Sequence, residues 1–364
     1  MKKILILCNS CIGLYKFRKE LIERLLQEKF EVYISTPYDN LKIIKELEKI
    51  NCQILETNID RRGINPIKDL KLLFNYFKLM KKVKPNIVLT YTIKSNLYGG
   101  IVSRLLKIPY IVNITGMGTL FQNEHILTKV IKIVYKFTLI KSKCVFFQNQ
   151  YNLEYFKKNK LISKNYKLVK GSGVNLEKFN YEIKKLNFPI EILFIGRIMQ
   201  EKGIEEFLEV AKKIKEKYKD KVEFNILGQY EEDKYKDIIK NLENQEIIKY
   251  LGISNDVRNE LKEVHCLVNP SWHEGMSNVL LEAGAMKIFL IASDIPGCRE
   301  IVINNKTGFT FAKQNIDDLE NKMEQFINLS EEEYEKYINS SYKHVKDNFD
   351  RKIVIEEYLK IINL

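Results

Sequence analysis

Two glutamates, Glu274 and Glu282, lie eight positions apart in PSWHEGMSNVLLEAGAM (270–286), a stretch made otherwise mostly of small and apolar residues. A carboxylate inside an apolar helix is unfavourable unless a partner donates hydrogen bonds to it. The carboxylate of Glu282 could accept two hydrogen bonds at once, and the diol of a ribose offers such a pair of hydroxyl groups. The alternative is an ordinary acidic residue that the helix dipole stabilises near an N-terminus.

A second group of residues in the same half of the chain has the chemistry of an anion site. In FIGRIMQEKG, Gly196 and Arg197 follow an apolar strand pattern, and Lys202 and Gly203 precede a helical pattern. A glycine lets a ligand approach the backbone, and cations beside a helix N-terminus bind anions. A solvated Arg and Lys in a loop remain the alternative.

The two groups are predicted to meet at one edge of a sheet. Glu274 lies just beyond the strand pattern CLVNP, and Ser277 and Asn278 are good N-caps for the helix that contains Glu282. The N–H groups of that helix would then point towards the same edge and suit a diphosphate. This convergence of glycines, cations and acids favours a binding site over a set of unrelated surface charges.

Short apolar strand patterns alternate with longer helical patterns along the whole chain. The pattern runs from KILIL to CVFFQ in the first half and restarts with EILFIGR after a polar segment near 179–190. Such alternation indicates parallel βαβ units with helices on both faces of each sheet. We predict two doubly wound α/β domains, 1–180 and 181–345, and a last helix at 346–364 that packs back on the first domain. Ligands of such domains bind at the carboxyl ends of the strands.

The charge of the chain is divided unequally between its halves. Residues 1–180 contain 33 Lys/Arg against 13 Asp/Glu, a net charge of +20, and residues 181–364 contain 27 against 34, a net charge of −7. A basic half could face nucleic acid, anionic lipid or a phosphorylated substrate. A lysine-rich composition alone is the alternative, but it does not explain the asymmetry. No apolar run approaches the roughly 20 residues that span a bilayer, and MKKILIL lacks a cleavage site, so any membrane role is expected from the surface.

The cysteines offer a competing reading. Cys8 and Cys11 form a C-x-x-C after the first strand pattern, as in thioredoxin-like redox sites. The chain is far longer than such a domain, and the spacing alone is a weak signal. The other cysteines lie singly in apolar segments, and four histidines with no second cysteine pair argue against a structural zinc site.

The combined motifs resemble those of the retaining family-4 glycosyltransferases, over nearly the whole chain. The motifs that carry the family signature are Gly196-Arg197, Lys202-Gly203 and Glu274-x7-Glu282 in the second half, together with GVNLEKF (173–179) just before it. In the first half LYKFR (14–18), RRGINPIKDL (61–70), YTIKSNLYGG (91–100) and NITGMGTLF (113–121) resemble a subgroup that acts on undecaprenyl-diphosphate-linked sugars, including bacterial N-acetylgalactosaminyl- and galactosyltransferases. The resemblance implies the GT-B fold, two facing Rossmann-like domains with an interdomain cleft.

The resemblance also implies roles for individual residues. Arg197 and Lys202 would bind the donor diphosphate, Glu282 the ribose, and Glu274 the donor sugar near its reacting face, with Glu274, Arg197 and Lys202 as the catalytic set. Further donor-binding positions would be Gly13, in the loop after the first strand, with Gly196, Leu251, Ser254, Asn278 and Val279. Acceptor-binding candidates in the basic half are Arg18, Arg61, Arg62, Lys94, Thr115 and Gly116. The alternative for each of the four cations is a solvated surface charge.

The implied reaction is retaining transfer of a hexose or N-acetylhexosamine from a UDP-sugar, UDP-GalNAc or UDP-Gal, to a lipid-linked glycan. No D-x-D sequence occurs, so neither a metal nor another cofactor is expected. The enzyme is expected in the cytoplasm, peripheral at the inner face of the membrane and in contact with anionic lipid. Many family members carry a histidine near the end of the strand that here reads IVNITGMG, where this chain has Asn113 and Thr115; His273 is expected to be a local structural residue rather than its substitute.

Two other functions stay open at this point. A GT-B sugar-nucleotide epimerase or hydrolase shares the two domains but needs no acceptor; the Glu-x7-Glu after Gly-Arg and Lys-Gly argues against it. A nucleic-acid-binding protein would use the basic half, but no recognition-helix or aromatic-stacking motif supports it, and the acidic half has no place in it. We therefore expect no nucleic-acid partner.

Overall fold

The computed structural model describes the chain except for residues 61, 62, 64, 117–125, 182 and 364, and it describes residues 126 and 127 by their backbone only. The chain forms two compact units. The first unit comprises Met1–Ser172 and Val354–Leu364, and the second comprises Gly173–Ile353. No helix in the described part of the chain combines the length and the apolar character needed to cross a bilayer.

The first unit is a doubly wound α/β unit, as predicted. Among the described residues its sheet has seven parallel strands, β1 Lys3–Leu7, β2 Glu31–Thr36, β3 Gln53–Glu56, β4 Ile87–Tyr91, β5 Tyr110–Ile114, β6 Cys144–Phe147 and β7 Tyr166–Leu168, in the order β3-β2-β1-β4-β5-β6-β7. Its helices include α1 Cys11–Gln27, α2 Leu41–Lys49, α3 Pro66–Val83, α4 Gly100–Leu105, α5 Ile126–Leu139 and α6 Gln150–Lys158. The strand order reverses between β1 and β4, which makes the carboxyl ends of these two strands the expected ligand position.

The second unit repeats this plan. Its described strands are β8 Ile190–Ile195, β9 Val222–Leu227, β10 Lys249–Tyr250, β11 Cys266–Asn269, β12 Phe289–Ser293 and β13 Phe309–Phe311, in the order β10-β9-β8-β11-β12-β13. The helices are α7 Ile204–Tyr218, α8 Tyr235–Asn244, α9 Arg258–Leu261, α10 Asn278–Ala285, α11 Ile316–Ile327, α12 Glu331–Phe349 and α13 Arg351–Asn363, the last of which ends in the first unit. The strand order reverses between β8 and β11.

Alternate residues of the strands in the first unit pack against two different layers of helices, one on each face of the sheet. Ile4 and Ile6 of β1 pack with α1, α2 and α13, whereas Leu5 and Leu7 pack with α3, α4 and α5. Successive side chains of a strand point to opposite faces, so a continuous apolar run such as KILIL is buried on both sides. This is why the parallel sheet was recognisable from the sequence.

The units divide at different residues from the predicted boundaries, 180–181 and 345–346. Val174 and Phe179 belong to the core of the second unit, as do Val345 and Phe349 at the end of α12. The two connecting segments are also tied together within that unit, where Val174 forms a parallel bridge with Asp350. The polar stretch before Pro189 suggested a hinge, but the buried side chains on either side of it keep the chain in the second unit.

Candidate active site

The predicted donor residues of the second unit converge on the reversal point of its sheet. Gly196 and Arg197 follow directly after β8, and Glu274 lies five residues after the end of β11. The two strands are parallel neighbours, with Leu193 opposite Leu267, so both loops leave the same edge of the sheet. Sequence spacing alone predicted this convergence, because parallel strands bring their carboxyl ends together.

Lys202 and Glu274 form an ion pair at this edge. The distance from Lys202 Nζ to Glu274 Oε1 is 2.5 Å, and the side chains are 21% and 16% exposed. Ser271 Oγ donates a hydrogen bond to the same carboxylate oxygen at 2.9 Å. An ammonium group has three donors, so Lys202 can bind an incoming anion while it keeps its contact with Glu274. The pair therefore holds a cation in position beside a partly exposed carboxylate.

Two glycines shape the backbone around this pair. Gly203 has a φ of +73°, and a Cβ there would lie 2.1 Å from the carbonyl oxygen of Pro270. Gly297 has a φ of +88°, and a Cβ there would lie 2.9 Å from Glu274 Cβ. Both positions require glycine for conformation and for space. Gly203 was recognisable from the sequence, whereas Gly297 was not, because only the fold brings residue 297 against Glu274.

Helix α10 begins at Asn278 with Ser277 as its N-cap residue, as predicted. The Ser277 hydroxyl does not cap the helix; Asn269 Nδ2, at the end of β11, donates to it at 2.6 Å. This bond ties the start of α10 to the strand that leads to Glu274. Asn278 and Val279 are the first two residues of the helix, at the positions suited to an anion.

Glu282 lies inside α10 and is only 3% exposed. The residues around it in the helix, including Leu280, Leu281 and Ala283, are buried as well. A carboxylate at such a buried position is stable only with hydrogen-bond donors or a cation beside it. Glu282 is therefore a carboxylate inside an apolar helix, as the sequence predicted. Its assignment to a ribose stays a prediction.

Arg197 and the predicted base-binding segment occupy more open positions. Arg197 is about half exposed, and its guanidinium lies 3.6 Å from the Glu231 carboxylate. The Leu251 N–H donates to the Ile226 carbonyl at 2.8 Å, which extends the pairing beyond β10, and Ser254 Oγ accepts from the Asp256 N–H at 3.1 Å. Unlike Lys202, Arg197 is therefore not in contact with Glu274.

A buried contact that the sequence did not reveal supports the Glu274 loop. Trp272 Nε1 donates to Glu206 Oε1 at 2.7 Å, and Glu206 in α7 is only 5% exposed. His273, between Trp272 and Glu274, is exposed; desolvation and the nearby Lys313 charge lower its pKa. The loop is thus anchored by Trp272, two residues before the ion pair.

The described candidates of the first unit follow three different strands of its sheet, β1, β4 and β5. Gly13 lies in the first turn of α1 rather than in a loop, because the helix begins at Cys11 with Ser10 as its cap. Arg18 is buried, with its guanidinium over the rings of Tyr91 and Tyr358. Lys94 is paired with Asp69 of α3 at 2.6 Å, Thr115 and Gly116 follow β5, and Arg61 and Arg62 lie outside the described residues.

Asn113, near the position where many family members carry a histidine, has a structural role. It is 1% exposed, and its Nδ2 donates to the Thr90 carbonyl at 3.0 Å. Its Oδ1 accepts a hydrogen bond from the Tyr358 hydroxyl of α13. Asn113 thereby joins β4, β5 and the last helix inside the first unit.

The C-x-x-C cysteines lack the properties of a redox pair. Cys8 and Cys11 are both buried, and neither is part of a disulfide. Burial and the neighbouring Asp39 carboxylate raise the pKa of Cys11 to about 12, opposite to what a reactive thiolate requires. Among the described residues, no three His, Cys, Asp or Glu side chains are grouped in a way that could hold a metal ion.

Two protein-family models match the chain. One, described as "Glycosyl transferase 4-like", matches residues 3–149, and the other, described as "Glycosyl transferases group 1", matches residues 177–344. The first match falls within the first unit and the second within the second unit. Together they include every predicted site residue.

Similar proteins extend over almost the full length. An N,N'-diacetylbacillosaminyl-diphospho-undecaprenol alpha-1,3-N-acetylgalactosaminyltransferase from Campylobacter jejuni is 27% identical, over 98% of this chain and 96% of the relative. A UDP-Gal:alpha-D-GlcNAc-diphosphoundecaprenol alpha-1,3-galactosyltransferase from Escherichia coli is 30% identical, over 83% of each chain. The crystal structure of Anabaena HepE in complex with UDP-glucose has a TM-score of 0.80 and 14% identity, over 100% of both chains, and so shares the fold.

Proposed function

The chain belongs to the group 1, family 4-like glycosyltransferases, and on that premise we propose that it moves a hexose or N-acetylhexosamine from a UDP-sugar to a glycan on undecaprenyl diphosphate. Its two Rossmann-like units confirm the predicted GT-B fold class. The observation that carries the proposal is the Lys202–Glu274 pair at the reversal point of the second sheet, beside the start of α10. Both named relatives act on undecaprenol-linked diphosphates, and one takes UDP-Gal.

The donor is proposed to bind through its diphosphate and its ribose. Lys202 and the first N–H groups of α10 neutralise the phosphates, and Arg197 moves from Glu231 to the β-phosphate when the donor enters. Glu282 accepts hydrogen bonds from the ribose hydroxyls, and the backbone from Leu251 to Ser254 faces the base. Glu274, whose carboxylate accepts hydrogen bonds from Lys202 and Ser271, contacts the donor sugar.

The reaction is proposed to proceed with retention at the anomeric carbon. The bond from that carbon to the β-phosphate oxygen breaks with its electron pair on the phosphate, and the acceptor oxygen bonds to the same face of the carbon. The acceptor's proton passes to the leaving phosphate. Lys202 and Arg197 stabilise the negative charge that develops on the phosphate, so these residues perform the electrostatic part of the catalysis without a metal ion.

The acceptor is proposed to approach the first unit from the inner face of the membrane. With the boundaries of the structure, the first unit has 33 Lys/Arg and 14 Asp/Glu, a net charge of +19, and the second has a net charge of −6. A lipid diphosphate and the anionic lipids around it are attracted to such a surface. UDP-GalNAc and UDP-Gal are the proposed donors, since the two relatives transfer those sugars.

The test is a screen of UDP-Gal, UDP-GalNAc, UDP-GlcNAc and UDP-Glc, each radiolabelled, with a polyprenyl-diphosphate-linked sugar as acceptor. Transfer of label to the lipid supports the proposal. Consumption of a donor at the same rate with and without acceptor would instead identify an epimerase or hydrolase. Salt-dependent binding of DNA or RNA, with no donor turnover, would identify a nucleic-acid-binding protein.

A further inference from the structure

Helix α5 of the first unit presents large apolar side chains to solvent. Val130, Ile133, Phe137 and Ile140, which follows the helix directly, are between 36% and 69% exposed, and so is Leu105 at the end of α4. Single exposed apolar residues need no explanation, but these five belong to two helices that contact each other. We call them the α5 surface.

The spacing shows that the α5 surface is a second apolar face of the helix. Positions 130, 133, 137 and 140 lie three, four and three residues apart, which places them on one side of an α-helix. Ile131, Tyr135 and Leu139, on the other side, are buried in the core of the first unit. One apolar face of α5 is therefore buried in the core of the first unit, and the other apolar face is exposed.

The charged residues of α4, of α5 and of the chain directly after each of them have one sign. Every charged residue in the segments 100–116 and 126–143 is a lysine or an arginine. They are Arg104, Lys107, Lys129, Lys132, Lys136, Lys141 and Lys143. The other α-helices of the same unit contain acids: α3 contains Asp69, α6 contains Glu154, and α1, α2 and α13 each contain two glutamates. A row of exposed apolar side chains with cations beside it is suited to an anionic lipid surface. The cations can bind the lipid headgroups while the apolar side chains insert among the acyl chains.

We propose that the α5 surface inserts into the anionic bilayer that carries the acceptor. Helix α3, in the same layer, also exposes Ile67, Leu70 and Phe74 among its lysines, and its one acid, Asp69, is paired with Lys94. A second copy of the chain is a poorer occupant, because two identical cationic faces repel each other. The inference rests on the proposed lipid-linked acceptor for its purpose, but its test requires no sugar transfer.

The first experiment locates the contact with a fluorescent label. All six cysteines are buried, so a thiol-reactive, polarity-sensitive fluorophore can be directed to Ile133→Cys, or to Leu41→Cys in α2 as a control. Mixing the full chain with vesicles of phosphatidylcholine and phosphatidylglycerol should shift the emission of the label at 133 to the blue and leave that at 41 unchanged. A shift at 41 alone, or a shift at 133 that appears at high protein concentration without vesicles, would overturn the proposal.

The second experiment measures what the apolar side chains contribute. The double variant Ile133→Gln, Phe137→Gln should bind these vesicles about tenfold more weakly than the wild type, because two insertable side chains are lost while all lysines remain. Leu41→Gln, Ile238→Gln is the matched control: its side chains are 63% and 43% exposed, against 69% and 43%. Equal binding by the α5 variant and the wild type would refute insertion. Sugar transfer could fail with every donor while the α5 variant still binds vesicles more weakly than the wild type and the control variant. In that case the proposed reaction is wrong, but the proposed membrane contact of the α5 surface is supported.

Discussion

Lys202 is the residue on which the proposed chemistry depends most. Replacing it in Lys202→Gln keeps a polar side chain but removes the cation that pairs with Glu274 and that is proposed to face the leaving phosphate. We expect the turnover number to fall by about two to three orders of magnitude, as when an oxyanion-stabilising donor is lost. The measurement is steady-state transfer at saturating donor.

Lys215 offers a matched control for that variant. Its Nζ lies 2.8 Å from the Glu223 carboxylate and 2.9 Å from the carbonyl of Val222, at the amino end of β9. It is thus a partly buried lysine in an ion pair at the opposite edge of the same sheet. Lys215→Gln should leave turnover within about twofold of the wild type, since partly exposed pairs contribute little. Equal losses in both variants would show that Lys202 acts through stability alone.

Glu282 tests the ribose assignment separately from the phosphate site. Glu282→Ala should weaken UDP binding by about 1.5–3 kcal/mol, the contribution of hydrogen bonds to a charged acceptor. Calorimetry with UDP measures it, and Glu320→Ala in α11, where the carboxylate pairs with Lys213, serves as the control. Unchanged affinity in a folded Glu282→Ala protein would contradict the assignment.

At the scale of elements, the positions of the strands along the chain and their parallel direction could be predicted because the signal is local. Apolar runs such as KILIL and EILFIGR identify buried parallel strands by themselves. The capping box at Ser330 and Glu333 and the start of α10 were also predictable, since a cap involves neighbouring residues. The edge of the sheet that holds the donor residues follows from these elements alone.

Contacts between residues far apart in sequence were not predictable in this way. The approach of Gly297 to Glu274 and the Trp272–Glu206 hydrogen bond depend on how loops pack. Arg18 shows the same limit, because LYKFR reads as a surface helix start, yet the return of α13 places Tyr358 over its guanidinium. A single sequence carries no local signal for such contacts.

His265 links the elements of the second unit and gives a pH prediction. Its Nδ1 accepts from the Glu191 N–H of β8 at 2.9 Å, and burial lowers its pKa to about 4. An unfolded histidine titrates near about 6.5, so as the pH falls from there towards 4 the unfolded chain gains a proton that the folded unit does not. The free energy of unfolding should fall over that window by at most about 3 kcal/mol and should not depend on this group at higher pH.

The variant His265→Asn isolates this contribution, because an asparagine oxygen can replace Nδ1 as the acceptor but does not titrate. Its unfolding free energy should depend less on pH between about 4 and 6.5 than that of the wild type. Trp272, the only tryptophan of the chain, lies in the second unit and reports its urea unfolding by fluorescence. Identical pH dependence in the two proteins would contradict the role given to His265.

At the scale of the whole molecule, the division of charge follows the two units, and it predicts salt-dependent attraction to membranes. Lys78, Lys81 and Lys82 in α3 take part in none of the described ion pairs. A lysine within a Debye length of roughly 8 Å of an anionic membrane contributes on the order of 1 kcal/mol to the binding free energy. Replacing the three with glutamine should weaken binding to anionic vesicles and flatten its salt dependence, as measured by vesicle sedimentation.

The same triple variant should turn over a soluble short-chain acceptor at the wild-type rate, because these lysines are not among the predicted acceptor residues and lie outside the unit that contains Lys202 and Glu274. Substituting Lys212, Lys217 and Lys236 of the second unit provides a control with the same loss of charge. If that control weakens vesicle binding as much, net charge rather than the basic unit governs the attraction.

The proposed reaction is tested most directly by the anomeric configuration of the sugar that the protein transfers in the presence of EDTA. The acceptor is a short-chain polyprenyl-diphosphate sugar, the donors are UDP-Gal and UDP-GalNAc, and NMR spectroscopy of the product gives the configuration. Because both donors are α-linked and the proposed phosphate site consists of Lys202, Arg197 and backbone N–H groups, we predict an α-linked product at an undiminished rate. A β-linked product, or transfer that stops with EDTA and returns with added magnesium or manganese, would contradict the account.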